Sequence, residues 1–290
     1  MHGATSGVER VLKNIESAGA LDRVTTPLSG FVNRILPDGR FRDLLHGVPF
    51  GHPAHPFLVQ VPLGAWLSAV VLDRLPGTEK SAQALVGFGT LAAVPAAAAG
   101  IADWSRGQDT HLRVGIVHWA SNTVAVACFA ASFIQRSRGR AASGKALALL
   151  GIGVASIGGY LGGHLVYRQA LGANHVEDVP DLLPDGWHAV ADLDDLPDGL
   201  TRRVVETVPV LVYRDGTEIR ALADRCSHLS GPLHEGRLVR EGDGACVVCP
   251  WHGSEFSLAD GSVVHGPATS PQPSFRTRIM GGRVEIALSE

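Results

Sequence analysis

Four stretches of this chain are almost wholly apolar, and they divide it into two unlike halves. Residues 56–72, 82–102, 114–134 and 146–166 each come close to the roughly 20 apolar residues that a helix needs to cross a bilayer. The first is short and carries Gln60 and Pro62. An Ala-rich run such as residues 95–100 also suits a buried helix of a soluble bundle. Four nearly uncharged runs in series, each bounded by Arg, Lys or Asp, argue for membrane spans instead. In the fourth, Gly158, Gly159, Gly162 and Gly163 give two overlapping pairs of small residues four apart, a spacing that lets helix backbones approach in lipid. Upstream, Val8, Val11, Leu12 and Ile15 recur at helical spacing behind a Ser6/Glu9 capping box, and Leu28, Phe31, Val32, Ile35 and Leu36 repeat the pattern before Pro37. These predict amphipathic helices that lie on the membrane surface or cover the bundle.

The pattern predicts four regions: an amphipathic helical segment over 1–50, a four-helix integral membrane domain over 51–172, a linker over 173–184 and a second domain over 185–290. A length of 290 residues agrees with about two domains. The overall net charge of −3 hides an asymmetry: from Glu177 onward there are 19 acidic and 10 basic residues, while the part before it is net positive. An acidic domain behind a basic, apolar half is a membrane-protein pattern and speaks against a nucleic-acid partner. Four cysteines are too few for a disulfide framework once two or three are committed elsewhere. The first fifty residues lack the apolar core of a secretory signal, and no twin-arginine signal is present.

The candidate chemistry sits in the acidic half. Cys226-Ser-His228 and Cys249-Pro-Trp-His252 are two Cys/His pairs on separate loops. Two thiolates on one iron and two neutral imidazoles on the other are the mixed ligation of one type of [2Fe–2S] cluster. Exchanging thiolate for imidazole removes negative charge from one iron, which then takes the electron more readily. A Cys2His2 zinc site uses the same donors, but its paired ligands usually stand two to four residues apart, and Cys226 and His228 have one residue between them. Cys246-Val-Val-Cys249 also reads as a CxxC pair, although positions 246 and 249 of a strand face opposite sides, so Cys246 is expected to be a buried strand residue.

The stretches Cys226-Ser-His228-Leu229-Ser-Gly-Pro232 and Cys249-Pro-Trp251-His252-Gly253-Ser254-Glu-Phe256 resemble the two cluster loops of the Rieske family. Gly266-Pro267-Ala268 stands where that family places a proline-containing loop over the cluster, and Trp187-His-Ala-Val resembles its opening strand. The resemblance covers roughly residues 180–290. It implies an all-β domain of antiparallel sheets with an inserted cluster-binding subdomain. It implies metal ligation by Cys226, His228, Cys249 and His252, with Leu229, Trp251, Gly253, Ser254, Phe256 and Pro267 around the cluster. The spacing between the loops slightly exceeds the family's usual one, which points to an insertion in the hairpin turn at residues 240–244. Gly231 and Trp251 hold the places where high-potential members carry a loop disulfide. Phe256 replaces the tyrosine that raises the potential, while Ser254 keeps a hydroxyl that raises it. The site thus resembles the ferredoxin-type group, in the lower part of a range of roughly −150 to +300 mV.

Gly51-His52-Pro-Ala-His55-Pro56 opens the first span, Asp103-Trp104 ends the second, and Gly163-His164-Leu-Val-Tyr-Arg168 closes the fourth. Together they resemble an uncharacterised four-helix membrane domain family, whose identity implies a fold and no established chemistry. With four spans, His52, His55, Asp103, His118 and His164 all fall near one membrane face, and intramembrane ionisable residues are functional candidates. They suit a haem b or quinone site, or else they cap helices and bond to one another. Near-membrane Lys and Arg are balanced between the two sides. The Arg-dense loop with Arg136, Arg138 and Arg140 argues for placing the acidic domain outside, whereas the missing export signal and loop disulfides favour the cytoplasm. The expected placement is a multi-pass one in the cell inner membrane with the acidic domain cytoplasmic. The expected function is that of a membrane-bound electron carrier exchanging single electrons with a redox protein. Alternatives are a ferredoxin-like component feeding an oxygenase or reductase, and a redox-sensing membrane protein or transporter. A terminal oxygenase is excluded, because too few histidines follow His252 to build a mononuclear iron site.

Overall fold

The computed structural model describes residues 7–241 and 244–289, so Ser6 of the capping box and the tip of the 240–244 turn lie outside the described residues. Two compact units emerge. One is built from the chain up to Pro37 together with Ala54–Leu171, the other from Asp38–Pro53 together with everything from Gly172 on.

In the first unit, α1 (Gly7–Glu16) and α2 (Asp22–Ile35) are the two amphipathic helices. A third helix, α3 (Arg40–His46), belongs to the second unit. The spans follow: α4 (Ala54–Leu58) with α5 (Gln60–Leu72), then α6 (Glu79–Trp104), α7 (Asp109–Ser137) and α8 (Ala141–Tyr167). All four are long and apolar enough to cross a membrane. The first is split because Pro62 has no N–H to give to Leu58, so the ladder is interrupted between α4 and α5. The others outrun the apolar runs by three to five residues at the amino end and one to three at the carboxy end, because polar termini such as Glu79, Asp109 and Arg136 continue the helix beyond the apolar core.

Side-chain size is inverted relative to a water-soluble bundle. Many of the buried positions are small (Ala69, Ala82, Ala96, Ala99, Ala102, Ala148), while large side chains such as Phe57, Leu91, Val94 and Tyr160 point outward. Close backbone approach inside and an apolar exterior are what lipid demands. Leu12 of α1 packs with Val114, Leu161 and Leu165, and Val32 of α2 packs with Trp104 and Leu112. Polar ties fix these helices. Arg113 donates to both Asp22 carboxylate oxygens at 2.7 and 2.6 Å and to Glu16 O at 2.8 Å, and Asn33 donates to Ser105 O at 3.1 Å.

The spans form an internal repeat. Trp66 and Phe129, 63 positions apart, stack at the bundle centre with ring centroids 4.1 Å apart and planes at 7°. Each is received by a glycine of the next helix. A Cβ on Gly89 would lie 2.7 Å from Trp66, and one on Gly151 would lie 2.9 Å from Phe129. Asp73 and Arg136, again 63 apart, form a buried bidentate pair at 2.7 and 2.5 Å. Equivalent positions of the two helix pairs therefore meet each other, as they do across a two-fold axis.

The second unit contains α9 (Val179–Leu182) and ten strands: β1 (His188–Asp192), β2 (Gly199–Val205), β3 (Val208–Asp215), β4 (Glu218–Ala223), β5 (Arg237–Glu241), β6 (Gly244–Val248), β7 (Glu255–Ser257), β8 (Val263–His265), β9 (Ser274–Met280) and β10 (Arg283–Leu288). They form a six-stranded antiparallel sheet, β1-β10-β9-β4-β3-β2, and a four-stranded one, β5-β6-β7-β8, inserted between β4 and β9. One core holds Val208, Val210, Val212, Phe275, Val284 and Ile286. A second joins Leu211 and Leu222 to Val247, Phe256, Cys226 and Cys249. Cys246 is buried in β6 opposite Val239 and Ser257. The architecture is the expected one: a helical half with four apolar spans, then an all-β domain of antiparallel sheets.

Candidate metal centre

Two loops project from the four-stranded sheet's region, one after β4 and one between β6 and β7, and both are closed by the same hydrogen bonds. Cys226 O accepts from Ser230 N at 2.8 Å, and Cys226 N donates to Gly231 O at 2.9 Å. Cys249 O accepts from Gly253 N at 3.1 Å, and Cys249 N donates to Ser254 O at 2.8 Å. The fourth residue after each cysteine turns left-handed, Ser230 at φ 62° and Gly253 at φ 79°. That turn brings the following residue back beneath the cysteine. Glycine adopts it without steric cost, while Ser230 adopts it under tertiary support.

The closure aims backbone amides at both sulfurs. The N–H groups of His228 and Leu229 point to Cys226, and those of Trp251 and His252 to Cys249. The two thiols share a hydrogen bond. Cys249, accepting from Cys226 and from these amides, is lowered to about 7, and Cys226, as donor in a buried position, is raised. Amide donors around sulfur stabilise negative charge, as a thiolate ligand requires. The imidazoles of His228 and His252 stand side by side with centroids 5.0 Å apart and planes at 82°. Two imidazoles on one tetrahedral metal, with bonds of about 2 Å, put their ring centres about 5 Å apart.

These side chains fit a cluster better than one ion. The donors come in a sulfur pair and a nitrogen pair, and among the described residues no three His, Cys, Asp or Glu groups converge as a single zinc would need. Space is reserved as well: a Cβ on Gly231 would stand 2.7 Å from Cys249 Sγ and 3.2 Å from the Trp251 ring. Gly231 and Trp251 therefore face each other across the loops. Both cysteines are buried, whereas His252 is half-buried and Trp251 is 50% exposed.

The surrounding residues read from the sequence are placed as follows. Leu229 and Phe256 are buried, Phe256 in the same core as both cysteines. Ser254 is fully buried, and its Oγ accepts from Ala268 N at 3.0 Å, tying the second loop to the Gly266-Pro267-Ala268 segment. Further supports had no sequence signal. Gln272 accepts from Ser227 N at 3.0 Å through Oε1 and donates to Ala223 O at 2.8 Å, clamping the first loop. Asp224 accepts from His234 N and pairs with His234 Nδ1, both at 2.7 Å. From α3, Asp43 accepts from Gly266 N at 2.9 Å and pairs with His265 Nδ1 at 2.7 Å, while a Cβ on Gly266 would meet His46 and Val48. A helix encoded ahead of the spans thus grips the proline segment.

Of the membrane candidates, His55 and His118 come together, with centroids 6.2 Å apart. His164 Nε2 instead pairs with Glu16 Oε1 at 2.7 Å, and Gln169 donates to the same oxygen at 2.9 Å. Asp103 ends α6, where its carbonyl accepts from Arg106 N, and His52 belongs to the second unit.

Residues 186–276 match the Rieske [2Fe-2S] domain, and residues 51–175 match a family described as a predicted membrane protein (DUF2231). The 3-phenylpropionate/cinnamic acid dioxygenase ferredoxin subunit of Photorhabdus laumondii is 35% identical over 101 residues, 35% of this chain and 93% of that protein. Ferredoxin CarAc of Metapseudomonas resinovorans is 35% identical over 103 residues, 35% of this chain and 92% of that protein. Among solved structures, the ferredoxin of carbazole 1,9a-dioxygenase from Nocardioides aromaticivorans IC177 aligns at 27% identity with a TM-score of 0.33, covering 36% of this chain and all of that one. The chain belongs to the Rieske [2Fe-2S] domain family, as a ferredoxin-type electron carrier joined to a predicted membrane protein domain of the DUF2231 family.

Proposed function

We propose that the protein is a membrane-held one-electron carrier, in which Cys226 and Cys249 hold one iron of a [2Fe–2S] cluster and His228 and His252 hold the other. The observation carrying this reading is the matched pair of loops, with amides aimed at two buried sulfurs and two imidazoles 5.0 Å apart at the more open edge. The bound cluster supplies reversible one-electron chemistry, with the added electron on the imidazole-ligated iron. The chain's residues do the rest. The His228, Leu229, Trp251 and His252 amides offset thiolate charge. The buried Ser254 hydroxyl, its oxygen already accepting from Ala268, keeps its proton for a cluster sulfur and favours the reduced state. Phe256, packed in one core with both cysteines, keeps water from the sulfur side, and the half-buried His252 with exposed Trp251 forms the edge where a partner collects the electron.

The partner is a redox protein of the oxygenase or reductase class, by likeness to ferredoxin subunits that serve dioxygenases. The four spans hold the carrier in the cell inner membrane, with the acidic domain in the cytoplasm. The test is electron paramagnetic resonance of dithionite-reduced membranes from cells expressing the full chain. A rhombic mixed-ligand signal is expected in the membrane pellet, present in Cys246→Ser and absent in Cys226→Ser and His228→Ala. A signal that survives both of the latter changes, or zinc without acid-labile sulfide, overturns the assignment.

A further inference from the structure

The pair of imidazoles inside the bundle is built with the same care as a ligand set, and we propose that His55 and His118 bind a metal centre of their own. The metal is either a bare two-coordinate ion, Cu(I), or iron carried in a tetrapyrrole. This site is separate from the cluster loops and does not rest on their assignment.

Each ring is oriented from behind. His55 Nδ1 lies 2.8 Å from Ala96 O of α6, and His118 Nδ1 lies 2.8 Å from Gly158 O of α8. A carbonyl only accepts, so both Nδ1 atoms carry the proton and both Nε2 atoms present a lone pair. Fixing the tautomer through the far nitrogen is how proteins hold metal-ligating histidines. Four residues beyond each carbonyl stands a glycine that admits the ring. A Cβ on Gly100 would lie 2.7 Å from His55 Nδ1, and one on Gly162 would lie 3.1 Å from His118 Cε1. Asn122 donates to His118 O at 2.9 Å, and its amide nitrogen stands 3.3 Å from both His118 Nδ1 and His118 Nε2.

The two halves of this arrangement are copies. His55 and His118 are 63 positions apart, as are Trp66/Phe129 and Asp73/Arg136. Ala96/Gly158 and Gly100/Gly162 are each 62 apart, as are Gly89/Gly151. The stacked aromatics and the ion pair show that equivalent positions meet on one axis, and the two imidazoles meet on it too. Helix capping needs no second copy of itself opposite the first, whereas a ligand on the axis does.

Separation sets the mode of binding. Imidazoles on opposite sides of a metal, with bonds of about 2 Å, have centres about 6.3 Å apart, and His55 and His118 stand 6.2 Å apart. The 5.0 Å between His228 and His252 is the adjacent arrangement instead. Among the described residues no third His, Cys, Asp or Glu joins the pair, so the remaining coordination comes from outside the chain. A two-coordinate ion or a tetrapyrrole meets that condition.

The experiment uses the full chain purified in detergent. Its oxidised and reduced absorption spectra are recorded and its copper, zinc and non-cluster iron are quantified. It is then titrated separately with hemin, Cu(I) and Zn(II). About one equivalent of hemin or of Cu(I) is expected in the wild type. Haem bands or hemin uptake identify the tetrapyrrole source, copper uptake identifies the bare ion, and uptake of zinc alone, which needs tetrahedral ligation, overturns the proposed geometry. His55→Gln and His118→Gln should each lower affinity at least tenfold, and Gly162→Ala, which displaces the His118 ring, should lower it as well. Monodisperse elution and an unchanged helical circular dichroism spectrum in each variant establish that its bundle is folded. Wild-type protein that holds and takes up none of the three overturns the proposal, as does a bound metal that persists unchanged in both histidine variants.

Discussion

Breaking the Asp73–Arg136 pair is the most direct test of how the bundle is held together. The two side chains are 6% and 4% exposed, and the guanidinium bonds both carboxylate oxygens. Ser132 Oγ lies 3.2 Å from Arg136 Nε, and a Cβ on Gly144 would sit 2.6 Å from the arginine stem, so the cation has no room to turn toward water. Asp73→Asn removes the counter-charge and leaves Arg136 buried. Loss of one partner of a buried pair costs about 3–5 kcal/mol, a factor of roughly 10² to 10³ or more in the folded-to-unfolded ratio. Arg136→Met strands the carboxylate and should cost a similar amount. The double variant should cost about 2 kcal/mol or more less than the sum, because a pair replaced by uncharged groups leaves no charge buried. Reversible unfolding in mixed detergent micelles gives all four corners of the cycle. Strictly additive effects, or single-variant losses below about 1 kcal/mol, would refute the idea that this pair is a desolvated clasp.

Three further outcomes follow from the structure. Ser254→Ala removes a buried hydroxyl, and one neutral hydrogen bond is worth about 1 kcal/mol. Voltammetry should therefore show the cluster potential falling by several tens of millivolts, since about 59 mV corresponds to tenfold for one electron. Asp43→Ala removes the carboxylate that bonds Gly266 N–H and His265 Nδ1. The cost of about 1–3 kcal/mol should appear as earlier thermal bleaching of the cluster's visible absorbance. Glu16 is held below the usual carboxylate range, chiefly by its bond with His164. Its contribution to stability is thus present above the ordinary carboxylate pKa and lost as pH falls through the lowered one. The stability difference between wild type and Glu16→Gln should shrink on acidification from pH 6 to pH 3, and a constant difference would contradict the assignment.

The cluster loops could be read from the sequence because their chemistry is local: each Cys/His pair lies within four residues and needs no partner from afar. The spans were equally plain, since lipid imposes composition on every turn, though charged ends such as Glu79 and Arg136 hid the true termini. The repeat was harder to see. It survives as complementary shapes, Trp against Phe and Asp against Arg, with His55/His118 the one identical pair among the meeting positions, so residue identity barely signals it. Gln272 is a single amide in a Pro/Ser-rich stretch, and its role exists only once the fold brings it against Ser227, 45 positions earlier. The segment Asp38–Pro53 reads by its neighbours as part of the amino-terminal helices, yet it packs with the β domain because Asp43 finds its donors 222 residues later.

That long reach fixes an order of assembly. The ribosome releases α3 first and must then make all four apolar helices before the proline segment exists. The β domain is completed by a piece made at the start, so its proline segment is braced only after the intervening helices have been made. A freely expressed carboxy-terminal fragment lacks the grip of Asp43 on Gly266. It should mature without the brace that the intact polypeptide supplies.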